Sequence, residues 1–183
     1  MKKKYFKILL IVTIVITLVA GLSGTYAFFV YRETGQNVEL NSGKISIDFA
    51  NDSNYLNVLE AYPVSETTGK IYPYYTDFTI TSVVENHPIK YEIQVVPTNN
   101  NTIDSDYIKV YLTDITDTEI VEADFYKNFP DASYNTTGKT IYTDTMTSST
   151  SRTFRLRVWI DESYTRNVSE EFGFNVYLYA VNG

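Results

Sequence analysis

The sequence contains no cysteine among its 183 residues, although it is rich in tyrosine, with 17 Tyr residues. Disulfide bonds are therefore excluded, and so is a cysteine nucleophile. The fold must be held together by side-chain packing alone or with the help of a bound ion.

Histidine is almost absent as well, since His87 is the single one and lies in the turn-forming run Asn86-His87-Pro88. A zinc protease of the usual kind needs two His on one helical turn with a Glu between them. A Ser-His-Asp site would have to recruit His87 from an exposed turn. We therefore predict that the protein is not an enzyme and needs no cofactor.

Positive charge is scarce: 15 Lys and Arg face 22 Asp and Glu, and the formal net charge is −7. Residues 1–27 hold four of those Lys and no acidic residue, so the remainder carries −11. Such a surface repels phosphate backbones and anionic lipid head groups, which argues against nucleic acid as a partner. Cationic partners and metal ions stay compatible with it.

Pairs of aspartates occur at three places where oxygen ligands for calcium would be available. None has the spacing of a known calcium loop, so solvated surface charge is the favoured interpretation over a metal site. The pairs are Asp48 with Asp52, Asp104 with Asp106, and Asp114 with Asp117.

The first residues form an export signal. Four Lys between Lys2 and Lys7 precede an uncharged, mainly apolar stretch of 24 residues from Ile8 to Tyr31. The basic end stays in the cytoplasm, so the rest of the chain is expected outside it. An exported chain without disulfides and with a short Lys-rich leader is typical of a Gram-positive bacterium.

Two fates of this leader are open. Thr25 and Ala27 are the small residues that a signal peptidase prefers, which favours cleavage between Ala27 and Phe28. The uncharged stretch is also long enough to remain as a membrane anchor, since about 20 apolar residues span a bilayer. We predict a leader or anchor over residues 1–27, an N-terminal segment over 28–43 and one folded domain over 44–183.

Apolar residues then recur at every second position, which is the period of a half-buried β-strand. Separated by turn-forming residues, these segments predict an all-β, antiparallel β-sandwich of the jelly-roll or Ig-like kind, or else a barrel. The predicted inward residues are Ile45, Ile47, Phe49, Phe78, Ile80, Tyr91, Ile93, Val95, Ile108, Val110 and Leu112.

The two longest alternating segments run from Phe154 to Ile160 and from Phe172 to Ala180, and we predict that they pair as neighbouring antiparallel strands. Their outward positions place Trp159, Tyr177 and Tyr179 on the surface, where such rings stack on sugars or simply form cross-strand pairs. The segment 119–129 is predicted to be a short helix or an irregular crossover, and the region 52–75 has no clear pattern.

The segment Phe28-Phe29-Val30-Tyr31 is apolar and β-prone, and it becomes the N-terminus if the leader is removed. Such a segment pairs with its own sheet, stays in the membrane or adds to the edge of another subunit. We therefore predict self-association through this strand as one role for it.

The run from Gly24 to Phe29, followed by the run from Leu40 to Ile47, resembles the start of the camelysin/TasA family of exported proteins. The resemblance implies a dedicated signal peptidase, a jelly-roll-like β-sandwich and, for the best-known members, biofilm fibres built by donor-strand exchange. The sequence therefore favours an exported cell-surface or matrix structural protein with partners in the wall or matrix. The alternative is a membrane-tethered module that binds glycans or proteins.

Overall fold

The computed structural model describes residues 36–40, 42–51, 53–99, 101–134, 137–165 and 170–183. The predicted leader, the Ala27/Phe28 junction and the predicted assembly strand Phe28 to Tyr31 lie outside these residues. Within the described ranges, no helix is both long enough and apolar enough to cross a membrane.

The described chain is all-β and consists of two antiparallel sheets. The first sheet has the strand order β1-β2-β4-β9-β6-β7, and the second has the order β3-β10-β5-β8. The strands are β1 (Gln36–Leu40), β2 (Gly43–Phe49), β3 (Tyr55–Ala61), β4 (Tyr75–Val84), β5 (Ile89–Pro97), β6 (Ile108–Asp114), β7 (Glu119–Phe125), β8 (Lys139–Met146), β9 (Thr150–Ile160) and β10 (Glu170–Asn182). The short helices are α1 (Glu66–Gly69) and the 3₁₀ turns η1 (Ser105–Tyr107) and η2 (Tyr126–Asn128).

One hydrophobic core lies between the sheets, and the period-two alternation identified its residues. All eleven inward residues named above are buried and belong to the same core cluster. Phe154 on β9 contacts a ring of the other sheet, since its centroid lies 5.8 Å from that of Tyr142 on β8. Within its own sheet, Phe154 stacks on Phe78 of β4 at 5.6 Å. The all-β prediction is therefore confirmed for the described residues.

The prediction that the last two long strands pair with each other is wrong. β9 lies in the first sheet between β4 and β6, whereas β10 lies in the second between β3 and β5. Alternation determines which side chains face inward, but it carries no information on which strand lies alongside. Both strands contribute their apolar faces to the same core from opposite sides.

Two further segments differ from expectation. Residues 119–125 form β7 at an edge of the first sheet, and only 126–128 form a helical turn. β7 has no fully buried residue, so its alternation is weak and did not predict a strand. The patternless region 52–75 contains β3, α1 and the connection to β4.

Candidate functional site

Trp159 lies on the outward face of β9, as its position in the alternation predicted, but it is not on the surface. Its exposed fraction is 0%, because α1 packs over it. A Cβ at Gly69 would lie 2.1 Å from Trp159 Cε2, so only glycine permits this approach. The expectation of a surface-exposed Trp159 is therefore wrong, and the ring cannot stack on a sugar in this conformation.

The connection between β3 and β4, residues 62–74, carries α1 over Trp159, and we call it the strap. Its α1 helix begins at the N-cap Ser65, whose hydroxyl accepts a hydrogen bond from the Thr68 backbone N–H at 3.4 Å. Just before the helix, the Val64 backbone N–H donates to the Ile160 carbonyl at 2.9 Å. The strap is thus fixed by its backbone to the end of β9.

Charged side chains fix the strap to the sheet as well. Glu66 Oε2 lies 2.7 Å from Lys109 Nζ, and Glu66 Oε1 lies 3.3 Å from Lys70 Nζ. These hydrogen bonds, with Lys109 contributing most, lower the pKa of Glu66 below its ordinary value. Lys109 Nζ also lies 3.6 Å from an oxygen of Asp161 at the end of β9.

A second ion-pair group lies next to the strap. Arg155 donates two hydrogen bonds of 2.8 Å to Asp77, and the ring of Tyr75 covers its guanidinium at 4.2 Å. Arg157 is only 5% exposed and pairs with Asp117 at 2.8 Å. These contacts stabilise the outer surface of the first sheet. Both Arg155 and Arg157 are therefore already paired with carboxylates of the same chain.

Tyr177 and Tyr179 lie on the outward face of β10, in the other sheet, and both are half-buried. The structure therefore does not bring them together with Trp159. Tyr179 instead contacts Tyr134, with ring centroids 5.9 Å apart and planes only 15° from parallel. Tyr134 is 53% exposed, so one face of this stacked pair is open to solvent.

Glu92 on β5 supports the stacked pair from beside Tyr179, its partner in the ladder. Its Oε1 accepts a hydrogen bond from Ser133 at 2.8 Å, and its Oε2 accepts from Gln94 and Thr140 at 3.0 Å each. Burial and then the negative charge of Glu92 raise the pKa of Tyr179. The loop that carries Tyr134 is thereby tied to the sheet next to it.

A fourth tyrosine extends this surface. The ring of Tyr55 on β3 lies directly over Gly173 of β10, where a Cβ would meet its Cε2 and hydroxyl at 2.6 Å. Gly173 is needed there because any side chain would displace the ring. We call the surface formed by Tyr55, Tyr134, Tyr177 and Tyr179 the tyrosine face.

The aspartates considered as calcium ligands and His87 form no functional site among the described residues. Asp104 caps η1, Asp106 pairs with Lys127, and Asp114 accepts hydrogen bonds from Thr116 and Thr118. Asp48 and His87 are exposed, and Asp52 lies outside the described residues. In the described part of the chain, no three His, Cys, Asp or Glu side chains are grouped so that they would hold a metal ion.

Sequence reasoning found half of the tyrosine face. Tyr177 and Tyr179 follow from the alternation of β10, whereas Tyr134 lies in a loop and Tyr55 in the region without a pattern. No periodic signal marks either residue, although Gly173 within a strand is a local signal for a close contact. No protein-family model and no curated protein sequence matches this chain.

Proposed function

We propose that this protein is an exported structural protein of the cell surface or extracellular matrix, and that it assembles through its N-terminal strand. The leader, the apolar segment from Phe28 to Tyr31 and the likeness of residues 24–29 and 40–47 to the camelysin/TasA family support this proposal. The main structural support is a difference in regularity among the four sheet edges of the described residues, which are the strands β1, β3, β7 and β8.

Three of the edges are irregular. β3, β7 and β8 each pair with a register shift, and β7 also carries the exposed acids Glu119 and Glu122. On β8, Asp144 points to the core side of the sheet and pairs with Arg152. Bulges and inward-pointing charges of this kind keep edges from pairing with other molecules.

β1 is different, because it pairs with β2 over all five of its residues without a register shift. Its outer edge is thus the regular one among the four edges in the described part of the chain. Four residues separate its first residue, Gln36, from the apolar N-terminal segment that ends at Tyr31. The outer backbone N–H and C=O groups of this edge can pair with a strand from a second copy of the chain.

The register of β1 limits how far a longer β1 could pair within its own subunit. Gln36 lies opposite Ile47, and β2 ends two residues later at Phe49. A strand that continued β1 toward Phe28 would therefore find only Asp48 and Phe49 as further partners in its own subunit. As such a strand, most of the segment would need another partner for its backbone groups.

Within the two-sheet fold, we place the domain in the jelly-roll class. Consecutive strands from β2 to β6 alternate between the two sheets, and those from β7 to β10 do so again. Double-sheet jelly rolls are built from such crossing connections. In this arrangement, β1 is an edge strand of the first sheet in the proposed matrix subunit.

The proposal is tested with Phe28→Ser and Phe29→Ser combined in the full chain. The exported wild type is expected to form β-rich oligomers whose size on a column grows with concentration, and the double variant to stay monomeric. Ile71→Ser with Tyr74→Ser is the matched control, since these apolar side chains are 77% and 44% exposed in the strap. The proposal is contradicted if only the control variant loses assembly. It is also contradicted if both variants assemble like the wild type.

A further inference from the structure

We propose that the tyrosine face binds a neutral polysaccharide chain, a role separate from assembly through the N-terminal strand. The face lies on the second sheet, whereas β1 is an edge of the first. Assembly at that edge therefore leaves the face on β10 free to hold a ligand.

The rings are arranged along one strand. Tyr55 covers Gly173, while Tyr177 and the stacked pair of Tyr179 and Tyr134 follow on the same outward face of β10. The six-residue step from Gly173 to Tyr179 corresponds to about 20 Å of extended strand. An extended chain of several sugar units covers this length, whereas a single sugar covers only one ring.

The face is preorganised for binding. β10 is a central strand that pairs with β3 on one side and β5 on the other, so its side chains stand on a rigid base. Tyr134 is tied through its neighbour Ser133 to the carboxylate of Glu92. Rings that are already fixed lose little conformational entropy when a ligand stacks on them.

The charge of the face indicates which polymer it takes. Asn175 lies between Gly173 and Tyr177 on the outward face of β10, whereas Gln94, opposite Tyr177, is only 1% exposed and donates to Glu92. The carboxylate of Glu92 is already the acceptor of three hydrogen bonds. The chain as a whole is acidic, with a net charge of −7, and therefore repels polyanions. The Asn175 amide, the tyrosine hydroxyls and the ring faces suit the hydroxyl and C–H groups of an uncharged glycan.

The test measures binding of the full exported chain to cellohexaose and chitohexaose by calorimetry, with alginate as the charged comparison. We expect the neutral hexasaccharides to bind better than their disaccharides, and alginate not to bind. Tyr134→Ala and Tyr179→Ala should each weaken binding about tenfold, because each removes a stacking surface.

Two controls separate stacking from folding. Tyr134→Phe keeps the ring and should retain most of the affinity, whereas Tyr74→Ala removes a similarly exposed tyrosine from the strap on the other sheet and should change nothing. The same measurements on the Phe28→Ser, Phe29→Ser variant should give unchanged affinity per subunit. Absence of binding to both neutral hexasaccharides, binding only to alginate, or equal affinity in the Tyr134→Ala and Tyr74→Ala variants would overturn the proposal.

Discussion

The ring of Trp159 lies directly beneath Gly69, so close that a Cβ on Gly69 would be 2.1 Å from Trp159 Cε2. This contact connects the strap to the outer surface of the first sheet. It also buries the single tryptophan of the chain on the face opposite the main core. Tryptophan emission, excited selectively so that the 17 Tyr residues do not contribute, therefore reports on the surroundings of this one ring.

Replacing Gly69 by Ala should displace either the strap or the indole ring. The added methyl has no space, and overpacking of this kind costs about 1–3 kcal/mol of the free energy of unfolding. Because the displaced ring meets water, its emission should shift to the red and acrylamide should quench it more strongly. Urea unfolding and fluorescence measure both effects.

Thr67→Ala is the control for this change, since Thr67 is exposed on the same helix. It should retain the emission of the wild type and nearly all of its stability. Equal emission and equal quenching in Gly69→Ala and the wild type would show that Trp159 is not covered by the strap.

Acid should weaken the fold partly through Asp161. Burial alone would raise the pKa of Asp161, but hydrogen bonds from Ser163 and the charge of Lys109 more than offset it and bring the pKa below its ordinary value of 3.8. A carboxyl whose pKa is lower in the folded state stabilises the protein above the unfolded pKa, and this contribution is lost as pH falls through the folded pKa.

The wild type should therefore lose more stability than Asp161→Asn when the pH is lowered from about 6 to about 3. At the higher pH the variant should be the less stable of the two, since Lys109 has lost a charged neighbour. Urea midpoints at several pH values test this, and parallel curves for the two proteins would rule out the role given to Asp161.

Asp117→Asn should lower the free energy of unfolding by about 1 kcal/mol, because it removes the charge that pairs with the buried guanidinium of Arg157 and lies 3.5 Å from Arg155. Solvent screens this half-exposed carboxylate, which limits the effect. Asp117 has a positive φ of 64°, and asparagine tolerates that conformation, so the variant isolates the loss of charge.

Asp106→Asn is the comparison, since it breaks an exposed ion pair of 3.6 Å with Lys127. Its effect should stay within about 0.5 kcal/mol. If both variants unfold at the same urea concentration, the buried Arg157 does not depend on Asp117.

Assembly at β1 is tested most specifically with Asn37→Pro and Val38→Pro. Successive N–H groups of an antiparallel strand point alternately to its two sides, so one proline removes a bond to β2 and the other only blocks the outer edge. We expect one variant to lose stability and the other to keep its stability but lose assembly. If the variant that keeps its stability still assembles like the wild type, then subunits pair through an edge other than β1.

The sequence predicted the strands whose inward side chains are buried without exception, such as those around Ile47, Ile93 and Leu156. It failed to predict β7, because an edge strand that buries no residue fully has no clear alternation. It also mispaired β9 with β10, because strand partners depend on how the chain crosses between the sheets. That information is not local.

The site was predictable only where it depended on strand alternation. Tyr177 and Tyr179 were correctly placed on the outward side of β10, and Trp159 on that of β9. The burial of Trp159 was missed because it depends on a segment about 90 residues earlier, whose only local sign is Gly69. Tyr134 was missed for the same reason, since its partner Tyr179 lies far along the chain.

Assembly of a processed subunit is tested most directly by the N-terminal mass of the protein exported by a Gram-positive host, measured together with its size at several concentrations. We expect a chain that begins at Phe28 and forms larger species as concentration rises. A chain that retains residues 1–27 in the membrane fraction, with its domain monomeric at every concentration, would contradict the proposed assembly.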